Sequence, residues 1–301
     1  MFRLLIIPQL CRADAEVEAL RNTHANPAHY DYMIEENAIV IGPDGVIARL
    51  VTGCLDADLV KETAKHFYTV HGDGSNRGSI AGKDSMMMLE RKGGTFGHTK
   101  VIPRSIVKKM LARNEYTDFL GWMDASKHGD RFPDCRETAW SLENPEVLEA
   151  ARPFVEEVDR VYRDELPDHW LRQREFMNGC LSDWKFNDSV FSTITVNRRK
   201  RMTYHTDADD YRGGMGNLIV LEGNDSGALV MPKFRVAFRP RPTDVLLMNV
   251  HDMHGHLEME GERLTAVLYA REHIDECGKG YKATDDDLPS ALFGEPKEGA
   301  S

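Results

Sequence analysis

The stretch "FSTITVNRRKRMTYHTDADDYRGGMGNLIVLEG", residues 191–223, holds the change of pattern that decides the fold. Its two ends, "FSTITVN" and "NLIVLEG", are short, rich in β-branched residues and bounded by polar or glycine turns, which predicts strands. Downstream, "GALVMP", "RVAFRP", "DVLLMNV" and "RLTAVLYARE" repeat the pattern, separated by Gly, Asn, Asp or Pro. Six strands within about eighty residues, with no helix between them, predict an antiparallel sandwich or jelly roll rather than a parallel α/β sheet.

Upstream the pattern is mixed. "YDYMIEENAIVIGPDGVIARLVTG" reads as two strands around a Gly-Pro-Asp-Gly turn, and "DADLVKETAKHFYTV" has the caps and apolar spacing of a short helix. The turn-rich "HGDGSNRGSIAGKDSMMM" carries no clear element. Asn144-Pro145 opens a helical stretch in which Phe154, Val155, Val158, Val161 and Tyr162 share one face, and Pro153 and Pro167 are expected to divide it. The expected fold is α+β: a double-stranded β-helix (jelly roll) core with N-terminal helices packed on one face. Residues 1–185 would form a mixed support region integrated with a catalytic core and tail at 186–301.

Composition bounds the function. Of 301 residues, 41% are hydrophobic and 29% charged, enough for a globular core. The apolar start "LLIIPQL" is short and broken by proline, so it reads as an early strand and not as a secretory signal or membrane span. Cys11, Cys54, Cys135, Cys180 and Cys277 are scattered, odd in number and without a Cys-x-x-Cys, which argues against a disulfide framework or a zinc knuckle. A soluble protein in a reducing, intracellular setting, cytoplasmic or nuclear, is the expectation. The net charge of −11 disfavours broad nucleic-acid binding, although "NRRKR" at 197–201 could meet phosphates locally. As a solvated strand face it would need no such role.

Within the predicted β-region stands His205-Thr-Asp207. His-x-Asp pairs also occur at His29, His71, His128 and His273, so the pair alone means little among twelve histidines. Only the pair at 205 sits at a strand edge with further ligand types downstream, in "HDMHGH" after the strand "DVLLMNV". Strand ends distant in sequence meet at one mouth of a jelly roll, so His205, Asp207 and His254 can converge. Two imidazoles and a carboxylate on one face of a metal form the facial triad of non-haem Fe(II) oxygenases. Such iron keeps positions open for a bidentate co-substrate and O2. Arg263, opening the next strand, suits the distal carboxylate of 2-oxoglutarate, because guanidinium binds carboxylate in a two-pronged way. A surface salt bridge is the plainer role for Arg263.

The ordered set in 191–271, from Asn197 through His205-x-Asp207 and Asp210, "GNLIVLEG", "GALVMPKFRVAF", Asp244 and "HDMHGH" to Arg263 with "AVLYAR", resembles the TET/JBP family. These are Fe(II)- and 2-oxoglutarate-dependent dioxygenases that oxidise the 5-methyl group of pyrimidines in DNA. The resemblance is to the JBP-like and microbial or phage branch. It implies His205, Asp207 and His254 as catalytic iron ligands, with His251 the competitor for the last place. It implies Arg263 as the 2-oxoglutarate anchor, and Asn197, Asp210 and Arg271 as substrate-binding positions. His251 and His256 would then point outward or line the mouth. Asp210 stands where the animal enzymes carry a base-contacting asparagine, and Arg271 where they carry a histidine, so the target base stays open between 5-methylcytosine and thymine. Asp210 could instead cap the strand end.

DNA with a methylated pyrimidine is the partner implied, with Gly213, Gly214 and Gly216 giving the loop freedom to admit a flipped base. The same chemistry on a small molecule (a free nucleoside, an amino acid or a natural-product intermediate) is the first alternative. A non-catalytic jelly-roll binding module is the second. The Met86–Met88 run and the four tryptophans read as packing.

Overall fold

The structure is a computed structural model that describes residues 3–6, 11–70, 115–124 and 135–278. Most strands join a nine-stranded sheet. Its order is β1 (Arg3–Ile6), β3 (Ala38–Gly42), β4 (Gly45–Val51), β11 (Val245–Met248), β8 (Gly216–Glu222), β13 (Leu264–Tyr269), β7 (Thr193–Arg198), β5 (Tyr116–Met123) and β6 (Arg136–Glu137). A second sheet runs β12 (Gly255–His256), β9 (Leu229–Met231), β10 (Val236–Phe238) and β2 (Tyr32–Ile34). All pairings are antiparallel except β1 with β3 and β10 with β2. Each of the six strands expected in 191–271 is present, and Gly42↔Gly45 closes the β3–β4 hairpin over the expected Gly-Pro-Asp-Gly turn.

Alternation along the central strands sorts their faces. Ile194, Val196, Ile219, Leu221, Leu264, Ala266 and Leu268 belong to an apolar cluster shared with the helices Ala57–Phe67 and Pro145–Glu165. Fully buried Phe67, Phe154 and Tyr162 anchor that layer, each large apolar side chain contributing about 1.5–3 kcal/mol. Leu218, Val220, Leu246 and Met248 face the other way, into a second cluster with Leu229, Met231, Val236 and Phe238 of the smaller sheet. The space between the two sheets therefore receives the alternate residues of β7 and β13: Thr195, Asn197, Thr265 and Tyr269. The tryptophans pack in or against the first cluster.

Two expectations fail in part. Pro167 divides the helical stretch as expected, opening the separate helix Pro167–Asn178, but Pro153 does not: Pro145–Glu165 is continuous. One hydrogen bond is lost at Pro153, but eight buried side chains from Val147 to Tyr162 hold both halves against the sheet. Cys135 and Cys277 form a disulfide, with Cα atoms 5.7 Å apart across 142 residues of sequence. Spacing could not reveal it, because β6 and the turn after β13 reach the same corner only through the fold. Cys11, Cys54 and Cys180 remain thiols. No helix among the described residues is long and apolar enough to cross a membrane. The "SNRGSIAG" stretch and Met86–Met88 lie outside the described residues.

Candidate metal centre

His205 and His254 lie on separate segments that pair as an isolated antiparallel bridge, each backbone N–H donating to the other's carbonyl at 3.0 Å. Gly255 permits this approach: a Cβ there would stand 2.9 Å from the Tyr204 ring and 3.0 Å from the Tyr204 backbone nitrogen. Asp207 is fixed by its own N–H donating to the Val250 carbonyl at 3.0 Å. The side chains converge, with His205 Nε2 3.7 Å from Asp207 Oδ1 and His254 Nε2 3.6 Å from Asp207 Oδ2. One ligand atom from each residue lies within 4.8 Å of the other two. Donors sitting about 2.0–2.2 Å from one ion stand about 3–4 Å apart, so a small contraction closes the set on a metal.

The imidazoles are already turned for that task. His205 Nδ1 lies 2.7 Å from the Thr203 carbonyl and His254 Nδ1 2.9 Å from the Asp252 carbonyl. A carbonyl oxygen only accepts, so both Nδ1 atoms carry the proton and both Nε2 atoms present a lone pair toward Asp207. Among the described residues this is the one cluster of three or more His, Cys, Asp or Glu side chains able to hold an ion. Neither His251 nor any thiol belongs to it. Two imidazoles and one carboxylate match Fe(II) better than a structural zinc, which favours four ligands and thiolates.

Arg263 lies on the inward face of the strand that continues as β13, 3% exposed. Its Nη1 donates to the Ser226 carbonyl at 3.1 Å, while Nε and Nη2 are buried without a partner. Burial pushes the guanidinium down to about 10. Gly223 and Gly227 cradle it: a Cβ at either would come within 3.4 Å of its aliphatic stem. A buried guanidinium with two orphaned nitrogens fits an anionic ligand, and the plainer surface salt bridge is not what the structure contains.

His256 does not point outward. It is 8% exposed with Nδ1 unpartnered, and burial, together with Arg263, His254, His205 and Arg201, holds it well below its ordinary value.

The substrate-side residues are tied into the protein. Asn197 Oδ1 accepts from Thr117 Oγ1 at 2.8 Å. Arg271, 8% exposed, donates from Nε to Asp124 at 2.9 Å and reaches Asp209 at 3.7 Å. Burial alone would lower its pKa, but Tyr269, Asp124, Asp209 and Asp210 raise it above the ordinary value. Asp210, also buried, bridges to Arg271 along the backbone. Asp124 escaped the sequence reading, being 147 residues from its partner with no local motif to mark it.

The basic run is partly engaged from within. Arg198 and Arg199 both pair with Glu262, Lys200 is buried, and Arg201 donates to the His256 and Ala25 carbonyls. Phosphate contacts at Arg198 and Arg199 would therefore compete with Glu262, one carboxylate shared by two guanidiniums. Two of the three glycines in this region are also closely packed. A Cβ on Gly214 would fall 2.0 Å from Gln173 Oε1, and one on Gly216 2.3 Å from Val250, so they serve close packing.

A roll of two facing sheets with a His–Asp–His cluster on one side and an unpaired guanidinium inside it is the arrangement of a non-haem iron oxygenase. Residues 121–272 match the Tet_JBP family, the oxygenase domain of the 2OGFeDO superfamily, and the chain belongs to that family. Thymine dioxygenase JBP1 of Trypanosoma brucei brucei is 34% identical over 158 residues, which are 49% of this chain and 18% of that protein. Thymine dioxygenase JBP1-B of Trypanosoma cruzi (strain CL Brener) is 35% identical over 150 residues, 47% of this chain and 18% of that protein. The chain thus spans about a fifth of the length of these relatives. The structure of NgTET1 in complex with 5mC DNA shares the fold, with a TM-score of 0.52 at 15% identity, over 87% of this chain and 89% of that one.

Proposed function

We propose that the chain is an Fe(II)- and 2-oxoglutarate-dependent dioxygenase that hydroxylates the 5-methyl group of a pyrimidine in DNA. The observation that carries the chemistry is the pairing of a converged His205–Asp207–His254 set with the partnerless, buried nitrogens of Arg263. The thymine dioxygenases among its relatives support the substrate. On this reading the two sheets are the layers of a double-stranded β-helix, with residues 186–301 the catalytic core and 1–185 its support.

When bound, Fe(II) with 2-oxoglutarate and O2 supplies oxidative decarboxylation to succinate coupled to hydroxylation of a substrate C–H bond. His205, Asp207 and His254 would hold the ion by Nε2 and carboxylate oxygens, while the two Nδ1–H groups keep donating to the Thr203 and Asp252 carbonyls. Arg263 takes the distal carboxylate with its two orphaned nitrogens. Asp210 and Asn197 face the substrate, and Arg271, clamped by Asp124, positions Asp210. A base in a duplex must leave the stack to reach this interior.

A second reading keeps the chemistry and replaces DNA with a small molecule. The pairing of Arg198 and Arg199 with Glu262 and the net charge of −11 favour it. Incubation with Fe(II), 2-oxoglutarate and duplexes holding thymine or 5-methylcytosine, followed by mass analysis of the nucleosides, decides between them. Gain of one oxygen on either base supports DNA oxidation. Succinate formation that no duplex stimulates removes DNA as the substrate.

A further inference from the structure

We propose that His256 is a second recognition residue for the diacid, donating from Nδ1 to the distal carboxylate that Arg263 holds. The inference rests on the 2-oxoglutarate reading above and adds a residue to it. His254 and His256 are two apart along one extended segment, so their rings project to the same side, into the roll. His256 pairs with Leu229 of β9, and Arg263 is held by the Ser226 carbonyl three residues before Leu229. One side chain comes from each sheet, and both arrive at the same β8–β9 corner. The charges of Arg263, His254, His205 and Arg201 all bear on the His256 ring, as expected of groups gathered in one buried interior.

Three buried nitrogens at this corner, His256 Nδ1 and Arg263 Nε and Nη2, have no partner. Buried polar nitrogens rarely stay unpaired, because the protein then bears their desolvation with nothing in return, and with its proton on Nδ1 His256 is a donor like the two guanidinium nitrogens. A single carboxylate remedies all three, since its two oxygens offer about four acceptor sites. An imidazole donor beside a guanidinium also favours a flat, doubly accepting anion over a neutral end group. His256 would therefore help the site select a keto-diacid over a keto-monoacid.

The test is calorimetric titration of the full chain, loaded with Mn(II) in place of iron, with 2-oxoglutarate and with 2-oxopentanoate. The second ligand keeps the metal-binding keto-acid and lacks the distal carboxylate. For His256→Phe, which keeps the ring without its nitrogens, 2-oxoglutarate affinity falls about ten- to hundredfold, the range for a hydrogen bond to a charged group. Affinity for 2-oxopentanoate and for Mn(II) itself stays within about threefold, which is the scale of a small packing change. His256→Asn, whose amide can replace the Nδ1 donor, recovers most of the loss. Should His256→Phe fail to give a cooperative melt, His256→Leu takes its place with the same outcomes. Unchanged 2-oxoglutarate affinity, or an equal loss for both ligands, overturns the inference. Wild-type protein that binds Mn(II) but neither keto-acid overturns the 2-oxoglutarate reading, and the inference falls with it.

Discussion

Glu262 and Arg263 are neighbours in sequence, yet the cations on either side of this step meet opposite fates. Arg198 and Arg199 reach Glu262 at 3.4 and 2.9 Å in a partly exposed cluster, with Arg198 also lying over the rings of Tyr68 and Tyr116. Arg263 turns inward, where no carboxylate answers two of its nitrogens. A charge matched by the protein's own anion is structure. A buried charge left unmatched is a site prepared for an anion from outside, because nothing else offsets its desolvation. Arg271 is the third case, buried like Arg263 but matched by Asp124 like Arg199.

The inward set depends first on its metal end. His254→Ala removes one of three converging donors, and metal-dependent succinate formation is expected to fall by more than the roughly 10–100-fold that loss of an outer partner costs. His251→Ala, outside the cluster, is expected to leave turnover within about threefold, since it removes no direct ligand. Equal loss in both variants would mean that the wrong histidine has been placed on the metal.

The two buried arginines should then separate by sign. Arg271→Met takes from buried Asp124 its ion-pair partner, leaving it the His273 N–H, and is expected to destabilise the fold by about 3–5 kcal/mol. Arg263→Met removes a charge that had no partner, so the ligand-free protein is expected to gain about 1 kcal/mol or more. The same change should cost 2-oxoglutarate binding about 1.5–3 kcal/mol. Urea denaturation of both variants, read as a shift in midpoint at constant slope, checks the first pair of values. Titration with 2-oxoglutarate checks the last. If both variants lose stability, Arg263 has a partner inside the protein and the comparison collapses.

Lys200 sharpens the contrast through pH. Burial pushes its ammonium down to about 8, whereas an unfolded lysine titrates near about 10.4. Between those values the unfolded chain holds a proton that the folded one has released, so stability from this group rises with pH across the window. Lys200→Met is expected to flatten that rise in a series of melts from pH 7.5 to about 10.5. A slope unchanged by the substitution would show that Lys200 titrates as an exposed side chain does.

Much of the inward set was legible because its signals are local. Alternation gave β7, β8, β11 and β13, and the strand-edge position of His205-x-Asp207 singled it out among five similar pairs. The same period-two rule would have turned His256 inward beside His254, had it been applied across Gly255. The outward set was not legible. Arg198 meets Glu262 because β7 pairs with β13 in the register Arg198↔Leu264, and no local pattern announces a cross-strand register. Asp124 with Arg271 and Cys135 with Cys277 are likewise products of topology, joined across 147 and 142 residues.

Glu262→Gln makes the smallest change and asks the comparison's most direct question. The pairs it breaks are partly exposed, so the expected loss of stability is below about 1 kcal/mol. It also releases Arg198 and Arg199 from their anion while leaving Arg263 and the metal cluster untouched. If the run is silent toward DNA only because Glu262 holds it, the variant should bind duplex more tightly than the parent. The dependence of that binding on salt should also steepen by about one to two phosphate contacts, one for each arginine freed. Gel shifts of parent and variant over a salt series measure this directly. An unchanged salt slope would mean that these arginines do not face the duplex at all, and a DNA substrate would then have to be held by other parts of the chain.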